Sequence, residues 1–334
     1  MAATGAPWPA AVGVSGGSDS LALMFLLGDW AARSGRPPPV VLCVDHGLRP
    51  QSRAEARRVA RWARAAGLEA HVLTHRGRPA PSDIEAAARR ARYRLMGAWL
   101  RRKGLEALYV AHTRDDQAET FLLRLARGSG VDGLSAMRAV APYPEPEFAG
   151  MRLVRPLLDF DRQALRDELV GRGHAWIDDP MNSDPRFARV RIREAWRQLE
   201  ALGLSKSRIA DAARHLGRAR AALEAASRAV LARACRPCGN GVLVDAHALA
   251  AAPRELGLRA LATVLMAVSR SPYRPRFERL ETLFDSIREG SLGAGRTLHG
   301  CRIAPAAKRR AVFGRATLLV QREKSRHSAG KSGL

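Results

Sequence analysis

The chain has 334 residues, of which 46% are hydrophobic and 26% charged, a composition typical of a globular protein with room for two domains. Lysine and arginine number 56 against 32 aspartate and glutamate, which gives a formal net charge of +24. This excess favours a polyanionic partner such as nucleic acid, although an arginine-rich genome gives the same bias without one. The 4 scattered cysteines exclude a disulfide framework, and no segment approaches the roughly 18 uninterrupted apolar residues of a membrane span. We therefore expect a cytoplasmic protein that does not contact a membrane.

Strand and helix patterns alternate through the first part of the chain. The predicted strands cover residues 10–14, 40–44, 68–73 and 105–111, and the predicted helices cover 21–33, 52–66, 82–102 and 115–127. This alternation predicts right-handed βαβ units and an α/β fold with a doubly wound, mostly parallel sheet, similar to a Rossmann fold. Ligands of such sheets bind beyond the carboxyl ends of the strands.

The first strand leads into a turn of sequence Ser-Gly-Gly-Ser-Asp-Ser. Its glycines let backbone N–H groups approach an anion, and the following helix adds the positive end of its dipole. The Lys-Ser/Thr pair of the common P-loop is absent, which argues against γ-phosphate hydrolysis. The turn resembles the pyrophosphate loop of enzymes that split ATP into AMP and pyrophosphate, whereas the two glycines alone would equally fit a plain strand–helix connection. The residues assigned to the ATP site are Ser15, Gly16, Gly17, Ser18, Asp19 and Ser20. Asp45 and His46, after the second strand, join this set only through a family resemblance, since taken alone they fit a polar strand exit equally well.

Carboxylates cluster at the start of the fourth predicted helix. Asp115, Asp116 and Glu119 share one helical face, which can hold Mg²⁺ or an ammonium group. Taken alone, however, acidic residues in a first turn are explained as well by helix capping. In the third helix, Glu85 and Arg89 are spaced as a surface ion pair.

The rest of the chain divides by pattern into further segments. We predict a glycine-rich turn over 128–137, an exposed loop over 142–147, a long helix over 205–234, and a mixed α and β pattern that closes with strands over 296–303 and 316–321. The predicted organisation is a first domain over 1–200, a helical linker over 201–235, a smaller α+β domain over 236–323 and a flexible tail over 324–334.

Taken together, ordered strings across roughly residues 10–193 resemble the tRNA(Ile)-lysidine synthase family. The family often has a second histidine where this chain has Thr113, and serine where it has Met181. The C-terminal part resembles the family only through its closing strands, so the chain looks like a shorter form. The matching strings are residues 15–20, Asp45-His46-Gly47-Leu48-Arg49, Glu85 with Arg89, Arg92 and Tyr93, residues 115–120, Arg155-Pro-Leu-Leu, and Asp179-Pro with Asn182.

The resemblance implies an ATP-pyrophosphatase domain of the PP-loop class and a ligase reaction. In that reaction the ε-amine of L-lysine is joined to C2 of the wobble cytidine of a tRNA(Ile) with a CAU anticodon, through an adenylated tRNA, and decoding changes from AUG to AUA. ATP and Mg²⁺ are the implied cofactors. The resemblance also implies that residues 236–323 bind tRNA. The implied catalytic residues are Asp19 and Asp116 near Mg²⁺, Asp116 and Glu119 for the lysine ammonium or metal, and His112 and Arg89 for phosphate or transition-state contacts.

Two other functions are compatible with the same loop. A tRNA sulfurtransferase of the 2-thiocytidine type needs cysteine chemistry, but Cys235 and Cys238 form a single Cys-x-x-Cys pair that we interpret as ordinary cysteines in a loop after a helix. A non-catalytic tRNA-binding protein would not need the intact loop with Asp19 or the acidic face of the fourth helix.

Overall fold

The computed structural model describes residues 5–47, 51–75, 84–178 and 184–323. The chain divides into two compact units, Met1–Gly217 and Arg218–Leu334. Some predictions lie outside the described residues: those for Leu48, Arg49, Asp179, Met181, Asn182 and the tail from residue 324, and for the side chain of Glu85.

Within its described residues, the first unit contains a six-stranded sheet with the strand order β3-β2-β1-β4-β6-β5. All neighbouring strands are parallel except β5 and β6. Strand order reverses on either side of β1, which places a crevice at the carboxyl ends of β1 and β4. The predicted doubly wound, mostly parallel sheet is confirmed. The strands are β1 (Ala11–Gly13), β2 (Val40–Asp45), β3 (Ala70–Thr74), β4 (Ala107–Tyr109), β5 (Val140–Pro142) and β6 (Arg152–Val154).

Helices cover both faces of this sheet because successive strand residues point to opposite sides. Val12 and Val41 belong to one hydrophobic core with α1, α2 and α6, whereas Ala11 and Leu42 belong to another with α3. The helices are α1 (Ser18–Arg33), α2 (Ser52–Ala65), α3 (Ile84–Lys103), α4 (Arg114–Leu125), α5 (Val131–Leu134), α6 (Arg162–Gly171), α7 (Ala188–Glu194), α8 (Trp196–Ala201) and α9 (Lys206–Ala234), the last of which continues into the second unit.

The second unit is built on an antiparallel sheet whose order, over the part that the structure describes, is β7-β8-β11-β10-β9. Leu261, Leu265 and Phe284 from its helices pack with Ile303 and Val320 from its strands. The predicted α+β character is confirmed. None of the helices described is long and apolar enough to cross a membrane. The elements are β7 (Cys235–Cys238), β8 (Gly241–Asp245), α10 (Ala246–Ala250), α11 (Arg254–Ser269), α12 (Phe277–Arg288), β9 (Arg296–Leu298), β10 (Cys301–Pro305), α13 (Arg310–Phe313) and β11 (Thr317–Arg322).

The prediction of an exposed loop over 142–147 is confirmed in part, since Pro142, Pro144, Pro146 and Glu147 are exposed. Tyr143 and Glu145 are buried, because the Tyr143 hydroxyl donates to the Tyr93 carbonyl at 2.6 Å and Arg94 donates to Glu145 at 2.9 Å. The glycine-rich turn over 128–137 contains the short helix α5 (Val131–Leu134). Both differences arise from tertiary contacts or from elements too short to show a periodic pattern.

The two central cysteines lie in a strand rather than in the predicted loop. Cys235 and Cys238 are the first and last residues of β7, where they pair with Val244 and Gly241 of β8. Residues three apart on a strand point to opposite faces of the sheet. The two thiols therefore do not converge as the pair in a zinc or iron–sulfur knuckle would.

Candidate active site

The turn between β1 and α1 requires glycine at its first bend. Gly16 has a φ of +97°, and a Cβ atom there would lie 2.9 Å from the Ile177 and Val59 side chains. Gly17 is the N-cap of α1, whose first-turn N–H groups have no acceptor within the helix. These N–H groups and the helix dipole make the turn an anion site.

Ser20 holds the shape of this turn. Its hydroxyl accepts hydrogen bonds from the backbone N–H groups of Ser15 and Gly16, each at 3.2 Å, and donates to the Gly17 carbonyl at 2.9 Å. The Ser15 and Ser20 hydroxyls are also 3.2 Å apart. Ser20 therefore acts within the turn as its organiser, and Ser15 is the exposed hydroxyl of the loop.

Asp45 and His46 follow β2 at the same edge of the sheet. The buried Asp45 carboxylate accepts hydrogen bonds from the Gly47 N–H at 3.0 Å and from the Ser52 hydroxyl at 2.7 Å, so it ties the end of β2 to the first residue of α2. Burial and the neighbouring Arg92 and His75 lower the pKa of His46 to about 4, against the opposing effect of Asp45. The His46 imidazole is thus neutral at physiological pH.

Asp116 is held at the start of α4 by a capping box. Thr113 is the N-cap of this helix, and its N–H and hydroxyl lie 2.8 and 3.0 Å from Asp116 Oδ2. Asp116 therefore has the helix-capping role that the sequence analysis gave as an alternative. This role uses only one of its two carboxylate oxygens. The other oxygen, Oδ1, is directed to Arg162.

Arg162, the first residue of α6, joins the pyrophosphate turn to the acidic face of α4. Its Nε lies 3.0 Å from Asp19 Oδ2, its Nη2 3.3 Å from Asp116 Oδ1, and its Nη1 3.6 Å from Glu119 Oε1. Burial opposes the charge of Arg162, but Asp116, Asp19 and Glu119 outweigh it and raise the arginine pKa. Burial also raises the pKa of Asp19, although Arg162 lowers it. The structure thus brings together the three carboxylates that the sequence analysis selected.

Further cations complete this cluster. Arg193 of α7 donates to Glu119 at 2.6 and 3.1 Å, and Lys206 of α9 contacts Asp115 at 2.6 Å. Burial would raise the pKa of Asp115, but hydrogen bonds from Lys206 and the Arg162 backbone lower it overall. Sequence reasoning missed these cations, because their partners are 46 to 143 positions away in the chain and the sequence is rich in arginine throughout.

Basic groups also lie near Asp116, around His112. Burial and the nearby Arg155, Arg89 and Arg189 lower the pKa of His112 to about 3, while Asp116 opposes this effect. Among the described residues, no group lies within hydrogen-bond distance of the buried His112 Nδ1. His112 is therefore a neutral imidazole with an unpaired ring nitrogen, suited to a hydrogen bond with a ligand rather than to ion pairing.

Arg89 lies in this basic region through its contact with Tyr93. Its Nη2 is 3.4 Å from the Tyr93 hydroxyl, and its guanidinium lies 5.2 Å from the ring centroid. Burial lowers the pKa of both Arg92 and Arg155, and the charge of Arg89 lowers them further, while Tyr93 raises them. Mutually repelling cations of this kind favour an anionic ligand.

The carboxylates supply part of a Mg²⁺ coordination shell, which phosphate or water would complete. Among the residues described, no three His, Cys, Asp or Glu side chains form a group that could hold a metal by themselves. Asp19 and Asp116, however, each direct one oxygen to the same cation, the Arg162 guanidinium. Mg²⁺ in nucleotide sites commonly takes one or two carboxylates and completes its shell with phosphates and water.

A glycine turn at a helix N-terminus, flanked by carboxylates and by several arginines, is the arrangement expected of a PP-loop domain that binds ATP. Residues 8–199 match the PP-loop domain family. A tRNA(Ile)-lysidine synthase of Methylobacterium nodulans is 41% identical, over 87% of this chain and 85% of the relative. One of a Bradyrhizobium species is 39% identical, over 89% of this chain and 90% of the relative. The chain belongs to the tRNA(Ile)-lysidine synthase family, as the sequence predicted, and is an ATP-dependent ligase.

Similarity to solved structures supports the fold. The U34-tRNA thiolase NcsA from Methanococcus maripaludis, solved with its [4Fe-4S] cluster, aligns with a TM-score of 0.50 at 16% identity, over 63% of this chain and 72% of the thiolase. At this identity the likeness concerns the architecture alone. The α/β prediction is therefore confirmed from both sequence and structure.

Proposed function

We propose that this protein ligates the ε-amine of free L-lysine to C2 of the wobble cytidine in a tRNA(Ile) with a CAU anticodon. The product would read AUA codons in place of AUG. ATP is converted to AMP and pyrophosphate, and Mg²⁺ accompanies the nucleotide. The reaction requires no membrane, and we place it in the cytoplasm.

The chemistry balances in two displacements. In the first, O2 of cytidine attacks the α-phosphorus of ATP, the bond to the bridging oxygen breaks, and pyrophosphate leaves. In the second, the ε-ammonium of lysine first gives a proton to water. The resulting uncharged amine attacks C2, the C2–O2 bond breaks, and AMP leaves with O2. Both steps depend on the positioning of reactants and on stabilisation of phosphate charge.

Each side of the site has a part in this scheme. The first-turn N–H groups of α1 and the Ser15 hydroxyl bind the pyrophosphate. Asp19 and Asp116 would hold Mg²⁺, which neutralises phosphate charge when bound. Asp116 and Glu119 bind the lysine ammonium. Arg89 and the neutral His112 contact the phosphate in the basic region.

One observation carries this proposal. Asp19 of the pyrophosphate turn and Asp116 and Glu119 of α4 converge on a single cation at 3.0, 3.3 and 3.6 Å, in a chain of this family. A protein that bound tRNA without catalysis would have no need to hold three buried or half-buried carboxylates beside an ATP turn. Burying charged groups is costly unless they are paired. Arg162 supplies that pairing in the structure, and in the proposed reaction a substrate cation takes its place at the same oxygens.

The second unit offers a surface suited to RNA, the 270–277 loop, which connects α11 to α12. Arg270, Arg274 and Arg276 are exposed, and Tyr273 and Phe277 are 78% and 60% exposed. Arginines contact phosphates, and exposed aromatic rings stack on unpaired bases. This surface supports the predicted role of residues 236–323 in binding tRNA.

The test uses the full chain with ATP, Mg²⁺, radiolabelled lysine and a CAU tRNA(Ile) transcript. We expect label in the tRNA and one AMP released per lysine joined. An elongator methionine tRNA with the same anticodon is the matched control and is expected to remain unlabelled. Well-folded protein that joins no lysine to the isoleucine transcript would refute the proposal.

The cysteines distinguish the ligase from a sulfurtransferase. Burial raises the pKa of Cys235 to about 11 and of Cys43 to about 12, which disfavours the reactive thiolate. We expect the double variant C235S/C238S to retain lysine incorporation and the purified protein to contain no stoichiometric iron. Thiolated tRNA as a product that depends on Cys235 and Cys238 would favour the sulfurtransferase instead.

A further inference from the structure

The contacts of Arg162 differ in kind from those of other paired arginines in the first unit. Arg172, at the other end of the same helix, bridges Asp29 and Glu168 near the surface at 2.5 and 2.7 Å. Arg162 instead contacts carboxylates of α1 and α4 at once, and its side chain is only 21% exposed. Its guanidinium thus lies at the point where the charges of two helices meet.

The oxygens that face Arg162 are those that a cationic ligand would need. Asp116 Oδ2 is already held by Thr113, and Asp19 Oδ1 accepts a hydrogen bond from the Ser18 hydroxyl at 3.1 Å. The remaining oxygen of each carboxylate, Asp116 Oδ1 and Asp19 Oδ2, is the one bound to Arg162. A small cation that uses both carboxylates therefore meets Arg162 at Asp116 Oδ1, the oxygen not held by Thr113, and at Asp19 Oδ2.

The backbone of residue 162 is anchored independently of its side chain. The Arg162 N–H donates to Asp115 Oδ2 at 3.0 Å, and Asp115 Oδ1 is bound by Lys206 at 2.6 Å. The side chain can consequently change partners while α6 stays in place. Arginine is suited to such an exchange, because its planar fork binds carboxylate and phosphate equally well.

We propose that Arg162 is a positioning residue that occupies the cation site until substrate arrives. Its guanidinium keeps the free oxygens of Asp19 and Asp116 aligned, and a small cation, either a divalent metal or an alkylammonium, reaches them only by competing with it. This inference rests on the carboxylate roles in the proposed function. It adds that the Arg162 guanidinium lowers the affinity of the site for the cation, because both bind the same carboxylate oxygens.

The test measures cation binding without ATP or tRNA. Mn²⁺ binding is followed by electron paramagnetic resonance, and L-lysine binding by calorimetry, for wild type and R162Q. We expect R162Q to bind at least one of the two cations about tenfold more tightly, because a positive charge within hydrogen-bond distance of the site has been removed. The cation that gains affinity identifies which of the two the carboxylates accept.

Two further variants complete the design. R162K keeps the charge but replaces the planar fork with a single ammonium, so we expect a smaller gain of about threefold in the same arm. R172Q removes an arginine from the same helix that bridges two other carboxylates, and we expect wild-type affinities. If the thermal melt shows that R162Q does not fold, the inference is tested by the Mn²⁺ and L-lysine affinities of R162K alone.

Unchanged or weaker binding of both cations by folded R162Q and R162K would overturn the inference, because a purely structural arginine does not compete with ligand. That result would leave the proposed function intact, since lysine incorporation by wild type is measured separately. Failure of wild type to join lysine to tRNA would refute the proposed function, whatever the Mn²⁺ affinity of R162Q.

Discussion

The two units of the protein use charge in opposite ways. In the first, the Glu119 and Asp116 side chains are 3% and 10% exposed and meet arginines among buried residues. In the second, Arg254 binds Asp285 and Glu281 while 40% exposed, at a surface where solvent screens the interaction. Buried charges need fixed partners, because they are not solvated. Exposed charges are solvated, so the substitution of one of them has a small effect on stability. We therefore expect the first unit to hold a ligand in one fixed position, and we propose that the second attracts a polyanion through its exposed charges.

The strongest test of this contrast is the variant D19N in the first unit. It removes charge from the pyrophosphate turn with little change of shape, and we expect lysine incorporation to fall about 10²- to 10³-fold, the usual loss when one preorganised electrostatic contact is removed. Initial rates with saturating tRNA measure it. D29N, which removes a surface partner of Arg172, is the control and should retain wild-type rates. Equal losses in both variants would contradict the assignment.

Removing the charge of Glu119 should destabilise the first unit. E119Q leaves Arg193 facing a neutral amide, and we expect the free energy of unfolding to fall by about 2 to 3 kcal/mol. All 6 tryptophans lie at or before residue 196, so urea unfolding followed by tryptophan fluorescence reports this unit. The exposed pair of Asp211 with Arg214 supplies the control D211N, which should unfold as wild type does. If D211N lowered the free energy of unfolding as much as E119Q, buried and exposed ion pairs would not differ in their contribution to stability.

The neutral His112 predicts a loss of stability in acid. Its pKa is about 3 when folded and about 6.5 when unfolded, so the unfolded chain binds more protons as pH falls below 6.5. This residue should therefore lower the stability of the first unit by roughly 2 kcal/mol between pH 8 and pH 5. We expect H112N to flatten the pH dependence of urea unfolding, whereas substitution of the exposed His215 by Asn should not. A wild-type slope in H112N would show that other groups cause the acid sensitivity.

The smallest expected effect concerns the surface of the second unit. Y273A should weaken tRNA binding by about tenfold through loss of base stacking. R276Q should reduce the slope of log affinity against log salt by about 1, as expected when one phosphate contact is lost. V312A, at a position 44% exposed in the same unit, is the control. Unchanged affinity and slope in the first two variants would place the RNA contact elsewhere.

Much of the architecture is predictable from the sequence, because the elements that matter most are periodic. Residues 10–14 and 40–44 are apolar runs followed by helices of ten or more residues, and both became central strands. Strands β5 and β6 have three residues each, too few to show alternation, and were not predicted. Tyr143 and Glu145 lie between them, in a proline-rich segment that is typical of a loop, and tertiary contacts, above all with α3, bury them.

The candidate site was half predictable. The turn with Asp19 and the acidic face with Asp116 could be found because each is a local pattern with a known chemical use. Arg162 could not be found in this way, because its role depends on side chains from α1 and α4 that meet only in the folded unit. The neutrality of His112 and His46 was also beyond the sequence, since it follows from burial among arginines.

Thr113 has a consequence for the thermodynamics of substrate binding. By capping α4 it fixes the rotamer of Asp116 before any ligand is present. Ordering a side chain on binding costs about 0.5 to 1.5 kcal/mol, and this cost has already been met in folding. A family member with histidine at this position would keep the backbone N–H bond to this carboxylate but lose the bond from the threonine hydroxyl. Threonine at position 113 therefore preorganises the site. The conformational entropy of the Asp116 side chain is lost once, when the protein folds, and not in each catalytic cycle.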